Sequence, residues 1–250
     1  MSNKKKILAL SLALALGATL MVGGTLAWFS DTDQATNTFT LGSVEIEQTE
    51  TNKDGTPFTQ DQQLIPVGSN ITPVDDANFI HKQVTVKNTG KNPAYVQTSI
   101  AVPAVLDTGL LRWDVNLTTG GWEAVDGDEN TDGIQPVGTG AYDLDGDGTA
   151  ETMNVYQYRY AVELASGATS PVLLNGVYID QSADLNVYRD DADQILKAYF
   201  VWNGGEITGY DVSKIEKLPI LVATQAVQSQ GFGTISEGLN AAFPAHPWAV

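Results

Sequence analysis

The chain has 250 residues and a mass of 26.7 kDa, enough for one sizeable domain or two small ones. Thirteen Lys and Arg residues against thirty Asp and Glu residues give a formal net charge of -17, so nucleic acid and anionic membrane surfaces are not expected as partners. The sequence contains no cysteine, which excludes disulfides, thiolate metal sites and cysteine nucleophiles.

The first residues have the layout of an export signal. Three lysines at residues 4–6 precede an uncharged apolar run over residues 7–22. This run is shorter than the roughly 20 residues of a membrane-spanning helix, and small residues follow it. We therefore predict a signal peptide over residues 1–27, cleaved between Ala27 and Trp28, with no stable membrane span after cleavage. An uncleaved anchor is the alternative.

The predicted mature N-terminus spaces apolar side chains through a polar stretch, at Trp28, Phe29, Phe39, Leu41, Val44 and Ile46. A strand that cleavage frees can add to the sheet edge of a neighbouring subunit, where backbone hydrogen bonds supply affinity. Such head-to-tail pairing does not close on itself and produces a filament. We predict a donor strand within residues 28–40. The alternative is an ordinary first strand of the chain's own sheet.

Short apolar runs with period two predict an all-β chain. Residues 83–87 and 95–102 alternate on either side of a turn and predict a hairpin, and residues 153–164 predict a half-buried strand. Four more runs follow, at 172–174, 177–179, 195–202 and 218–227. No long amphipathic pattern interrupts them, which predicts an antiparallel β-sandwich formed by residues 28–250 as a single domain.

Residues 117–150 are rich in Gly and Asp and predict an inserted acidic loop or a protruding hairpin. Oxygen ligands at alternating positions, with Gly permitting a sharp turn, are typical of Ca²⁺ loops. Two candidate sets have this spacing: Asp143, Asp145, Asp147, Thr149 and Glu151, and upstream Asp126, Asp128, Asn130 and Asp132. Asn154 stands where an EF-hand-type loop needs a bidentate acid, so the expected affinity is weak, about 10⁻⁴–10⁻³ M. Solvated acidic turns are the alternative.

Near the C-terminus, Thr234 and Glu237 have the spacing of a capping box and predict a short helix that Pro244 ends. We expect the helix to pack over one end of the sandwich. The residues after Pro244 are expected to be loosely held.

The sequence offers no recognisable catalytic motif. The two histidines, His81 and His246, are not part of an HExxH helix, and zinc normally takes three or four protein ligands. The acids Asp190, Asp191 and Asp193 favour a solvated turn over a glycosidase pair, whose carboxylates must flank a bond from facing sides. We therefore do not expect an enzyme from the residues alone.

Several stretches resemble the camelysin family, which includes TasA-like and CalY-like proteins of Gram-positive bacteria: residues 23–31, 38–44, 84–96, 226–232 and 239–243. The resemblance implies a jelly-roll topology, processing by signal peptidase W and secretion to the extracellular matrix or cell surface. It also implies biofilm-matrix fibres that assemble by donor-strand exchange with other copies of the chain, or with related matrix proteins. Some relatives are described as metallopeptidases. A camelysin-like metal-dependent peptidase and a monomeric calcium-dependent surface adhesin are therefore the alternatives.

Overall fold

The computed structural model describes residues 30–34, 44–58, 62, 64–69, 71–117, 121–125, 133–144, 146–208, 211–214 and 220–249. The strands, in chain order, are β1 (Ser30–Gln34), β2 (Ile46–Thr51), β3 (Ile80–His81), β4 (Gln83–Asn88), β5 (Ala94–Pro103), β6 (Leu111–Val115), β7 (Trp122–Val125), β8 (Gly138–Tyr142), β9 (Glu151–Tyr160), β10 (Leu174–Ile179), β11 (Asp184–Arg189), β12 (Ile195–Trp202), β13 (Gly205–Glu206) and β14 (Leu221–Gln228). A 3₁₀ turn covers Pro73–Asp75, and helix α1 covers Ile235–Ala242.

The strands form one large sheet and three small ones. The large sheet has the order β1-β14-β5-β9-β7, and β8 also pairs with β9. The small sheets have the orders β2-β4, β3-β10-β6 and β11-β12-β13. All strand pairs are antiparallel, which confirms the predicted all-β, sandwich-like class. Among the described residues, no helix has the length and apolar character needed to cross a bilayer.

The strands on either side of residue 90 do not form the predicted hairpin. Strand β4 pairs with β2, whereas β5 pairs with β14 and β9. Val84 and Val86 of β4 and Val96 and Ile100 of β5 are fully buried in the same hydrophobic cluster. The alternating apolar residues of both strands therefore face each other across the sandwich, and the intervening turn carries the chain from one sheet to the other.

The side chain of Asn88 organises this crossover. Its Nδ2 donates to the carbonyls of Asn92 and Leu164, each at 2.9 Å, and its Oδ1 accepts from the backbone N–H of Gly90 at 3.0 Å. Asn88 is fully buried. Because backbone groups of a buried turn need partners, one amide here satisfies three of them.

Helix α1 covers part of the outer face of the large sheet. Arg159 of β9 donates through Nη1 to Ser236 Oγ at 3.0 Å and through Nη2 to Asn240 Oδ1 at 2.6 Å. The helix begins as predicted, with Thr234 Oγ1 accepting from the N–H of Glu237 at 3.1 Å. The Glu237 carboxylate accepts from Gly233 at 2.9 Å, one residue earlier than a capping box requires.

The C-terminal tail contradicts the expectation that it is loosely held. Trp248 packs against a small buried cluster of Ala101, Met153 and Val155 on the outer face of the large sheet. Together, α1 and the tail explain why β9 is buried on both faces, where the sequence predicted a half-buried strand. Outward-facing polar residues of the sheet are accordingly buried as well: Gln97, Ser99, Gln157 and Gln225.

The segment 117–150 is more than a protruding loop. Its described parts include β7 and β8, which both pair with β9 and so extend the large sheet. Trp122 of β7 is 1% exposed and donates through Nε1 to the carbonyl of Pro171 at 3.1 Å. One large aromatic residue is thus enough to fix a segment of otherwise polar composition in the core.

Candidate functional site

The N-terminal strand β1 lies at the edge of the large sheet. It pairs with β14 in continuous register, from Ser30 opposite Val227 to Gln34 opposite Ala223. The described residues place this strand on the chain's own sheet, which matches the alternative of an ordinary first strand. The same edge of β14 is the surface that a donor strand from another copy would use.

The acceptor strand β14 is held independently of β1. On its other side it pairs with β5 from Leu221 to Gln228. The hydroxyl of Thr224 hydrogen-bonds that of Thr98 at 2.9 Å and donates to Gln48 Oε1 at 2.7 Å. These contacts involve β5 and β2, so they stay in place when the partner on the outer edge of β14 is exchanged.

The predicted donor segment divides at Val44. Its leading apolar residues lie outside the described residues, as do the predicted cleavage residues: Ala27, Trp28, Phe29, Phe39 and Leu41. Val44 and Ile46, in contrast, are fully buried in the central hydrophobic cluster. The chain is therefore anchored in its own core from Val44 onward, and only residues before that point can pass to a neighbour without opening the core.

The acidic loop over residues 143–150 connects β8 to β9. The two carboxylate oxygens of Asp143 accept from Gly146 at 2.7 Å and Gly148 at 2.9 Å. Asp147 accepts from Thr149 at 2.7 Å. This pattern of side-chain acceptors and backbone donors is that of a tight acidic turn.

On β9, Glu151 bonds the backbone of the loop, whereas Asn154, which stands where an EF-hand-type loop needs an acid, bonds a residue outside it. Glu151 accepts from the N–H of Leu144 at 2.8 Å, and Asn154 donates from β9 to Asp107 at 2.7 Å. Asp145 and the upstream set of Asp126, Asp128, Asn130 and Asp132 lie outside the described residues. Calcium binding thus stays a prediction.

The two histidines lie on different elements. His81 ends β3, with its ring edge against Phe79 at a centroid distance of 4.8 Å, and burial followed by the charge of Lys53 lowers its pKa. The ring of His246 lies against Gly138 of β8, and burial lowers its pKa as well. Within the described part of the chain, no three His, Cys, Asp or Glu side chains form a group that could hold a metal ion.

A shallow cleft lies beside the start of α1. Its lining includes Tyr95, Glu123, Val162 and Glu163, together with residues 233–236. The cleft offers two carboxylates and no imidazole among its lining residues, so it lacks the ligand set of a zinc peptidase.

The acids at residues 190–193 form the turn that the sequence favoured. Asp190 accepts from the N–H groups of Ala192 at 2.9 Å and Gln194 at 2.8 Å, and Asp193 has a φ of 62°. The carboxylate of Asp190 caps its own turn, which is a structural use of an acid.

A buried polar network was not foreseen from the sequence. Asp107 accepts from the hydroxyl of Tyr156 at 2.7 Å, and the indole N–H of Trp113 donates to Tyr158 at 3.1 Å. Burial raises the pKa of Tyr158 to about 12 and raises that of Tyr156 as well. Alternation in 153–164 signalled the two tyrosines, but nothing local in the sequence indicates the partner 49 positions away. The network fixes the turn after β5 against β9.

The comparisons concern mainly the N-terminal half of this arrangement. A family model described as camelysin metallo-endopeptidase matches residues 2–94. Over this segment the chain is camelysin-like. The match confirms the N-terminal part of the resemblance that the sequence indicated. It covers β1 to β4 and ends at the first residue of β5, so the stretches 226–232 and 239–243 lie outside it. No curated protein and no solved structure matches the chain.

Proposed function

We propose that this camelysin-like chain is a secreted structural subunit of extracellular or biofilm-matrix fibres, assembled by exchange of the N-terminal strand between neighbours. The observation that carries the proposal is the place of β1: an edge strand of the large sheet, just after the predicted cleavage site and before the anchored Val44. The family match supports a secreted or surface protein.

Exchange of β1 is plausible on energetic grounds. The backbone hydrogen bonds that join Ser30–Gln34 to β14 form equally well when the strand comes from another copy. Assembly is then favourable if the contacts of segment 28–43 with the neighbouring copy contribute more free energy than the entropy of association costs. Since each copy gives its strand to one neighbour and receives a strand from another, the contact is head-to-tail, and it produces a filament when the rotation between copies does not close a ring.

The proposed setting follows the resemblance. Signal peptidase W would remove residues 1–27 during export, and related matrix proteins are candidate second subunits. The location is the matrix or cell surface of a Gram-positive bacterium.

Negative-stain electron microscopy tests the proposal. We expect regular fibres from a protein that begins at Trp28 and none from one that begins at Leu41. A synthetic peptide of residues 28–40 should bind the shortened protein, whereas a peptide of the same composition in scrambled order should not. Normal fibres from the shortened protein would contradict donor-strand exchange.

A second candidate function is a metal-dependent peptidase, which the description of the matching family favours. A folded wild-type protein that cleaves casein, loses this activity with a chelator and loses it again in His81→Ala or His246→Ala would support it. Absence of cleavage by the wild type would remove this candidate and leave the fibre proposal intact.

A further inference from the structure

The hairpin formed by β11 and β12 is exposed over its outer half. Four large apolar side chains lie there in solvent: Val187 at 41% exposure, Tyr188 at 51%, Ile195 at 47% and Leu196 at 63%. The base of the hairpin is anchored by Phe200, which is fully buried in the central cluster. An apolar surface held in place by a rigid base is typical of a contact surface.

Two residues of β11 direct their backbone N–H and C=O groups away from β12. On β12, the carbonyl of Phe200 accepts from Ile207 and that of Ala198 from Val212, each at 2.8 Å, so these two residues point away from β11. In an antiparallel pair such residues alternate with those that bond the partner strand. Given the observed register, Leu185 and Val187 of β11 therefore direct their N–H and C=O groups outward.

Among the described residues, no strand pairs with this outer side of β11. Natural edge strands are usually protected by Lys, by Pro or by a bulge. The positions of β11 with outward backbone groups carry Leu185 and Val187 instead. The only register shift comes at the end of the strand, between Tyr188 and Arg189, where Leu196 of β12 is the extra residue. Such an edge accepts another strand.

We propose that β11 pairs antiparallel with β11 of a second copy of this chain, about a two-fold axis through Asn186. When a two-fold axis perpendicular to the sheet joins two identical edges, residues that lie opposite each other have their side chains on the same face of the combined sheet. With the axis at Asn186, Leu185 of each copy lies opposite Val187 of the other, and their outward backbone groups form the hydrogen-bonded pairs.

Charge and geometry favour this register over the next one. An axis at Val187 would place Asp184 opposite Asp190 of the second copy and would run the pairing through the bulge. In an antiparallel arrangement the acidic tips over residues 190–193 also lie at opposite ends of the strand pair. In a chain with a net charge of -17, electrostatic repulsion between the two copies is therefore weaker in the antiparallel arrangement than in a parallel one.

The contact is small, so we expect a weak dimer of the isolated chain, below the size of a standard interface. It uses a different edge from the proposed fibre contact, which involves β1 and β14. The two contacts can therefore coexist and link neighbouring filaments sideways. Each of the two proposals can fail without the other.

Because the chain contains no cysteine, a single introduced cysteine reports on this contact directly. Residues opposite each other in a non-hydrogen-bonded pair have Cα atoms about 4.5 Å apart, within the range of a disulfide. With oxidised glutathione, Asn186→Cys should form a disulfide-linked dimer at least about tenfold faster than Leu196→Cys. The control residue is 63% exposed but lies on β12, away from the edge.

Both cysteine variants should keep the circular dichroism spectrum and melting temperature of the wild type. Equal cross-linking of the two variants, or no dimer from Asn186→Cys, would overturn the proposal. Sedimentation velocity gives a second measurement: Val187→Lys should abolish dimers of the unmodified chain, whereas Leu196→Lys should retain them. Equal loss in both variants would indicate general apolar adhesion and would also overturn it.

Discussion

Asn88 decides where the chain leaves one sheet and enters the other. Its amide holds both ends of the crossover, because it bonds the carbonyls of Asn92 and Leu164 and the N–H of Gly90. The sequence predicted a hairpin turn over Asn88–Pro93, between two alternating apolar runs. A crossover held by a side chain has the same local sequence pattern as a hairpin turn. Only the bond to Leu164, far along the chain, distinguishes the crossover from the hairpin.

We predict that Asn88→Ala lowers the free energy of unfolding by about 2–4 kcal/mol, because it removes the three hydrogen bonds of a fully buried side chain. The matched control is Asn52→Ala. Asn52 bonds Thr56 at 3.0 Å and Pro57 at 3.2 Å in an exposed turn, where water replaces the lost partner, so the expected loss is below about 1 kcal/mol. Urea unfolding measures both values. Equal losses would show that the crossover does not depend on this amide.

At the scale of elements, the sequence predicted where strands lie better than how they pair. Residues 195–202 were predicted as a strand and are β12, and the strand predicted over 218–227 is β14, which begins at Leu221. Alternation reports which residues face a core, but it is the same for strands that pair and for strands that face each other. The partners of β4 and β5 are set by contacts far along the chain, which no local pattern contains.

The C-terminal tail, residues 245–249, is a second case in which the local sequence does not indicate a tertiary contact. The residues after Pro244 were expected to be loosely held, as chain termini often are, yet Trp248 fits onto Gly140 of β8. A Cβ atom at residue 140 would lie 2.7 Å from the Trp248 Cβ and 2.9 Å from its carbonyl oxygen. The absent side chain is what makes room, and Gly138 of the same strand does the same for the His246 ring, 2.8 Å from where its Cβ would lie. Two glycines within one strand are a signal that the sequence carried.

We predict that Gly140→Ala displaces the tail and destabilises the protein by about 1–3 kcal/mol. Gly205→Ala is the matched control, since its new Cβ would meet its nearest atom, the Trp202 carbonyl oxygen, at 3.8 Å, so we expect a change below about 1 kcal/mol. Thermal unfolding gives the stabilities, and hydrogen exchange at residues 246–249 gives the position of the tail. Unchanged exchange in Gly140→Ala would refute tail packing.

At the scale of the whole molecule, the charge of -17 opposes any assembly of identical copies. Salt weakens this repulsion by screening, because the Debye length falls from about 30 Å at 10 mM salt to about 8 Å at 150 mM. We therefore expect fibres of the processed chain to form faster at 150 mM than at 10 mM sodium chloride, as followed by light scattering. A rate independent of salt would mean that charge repulsion does not limit assembly.

Calcium can act beyond screening only if it binds a site, and the acidic loop between β8 and β9 is where the sequence predicts one. At equal ionic strength, millimolar Ca²⁺ should then accelerate assembly and raise the melting temperature more than Mg²⁺, which accepts irregular oxygen sites less readily. Replacing Asp145 and Asp147 by Asn should remove the excess effect of Ca²⁺ and keep the effect of sodium chloride. Replacing Glu123 and Glu163 by Gln removes the same charge from the exposed cleft beside α1 and should leave the excess unchanged. If Ca²⁺ and Mg²⁺ act alike in the wild type, the loop serves as a turn and divalent cations act on this molecule through screening alone.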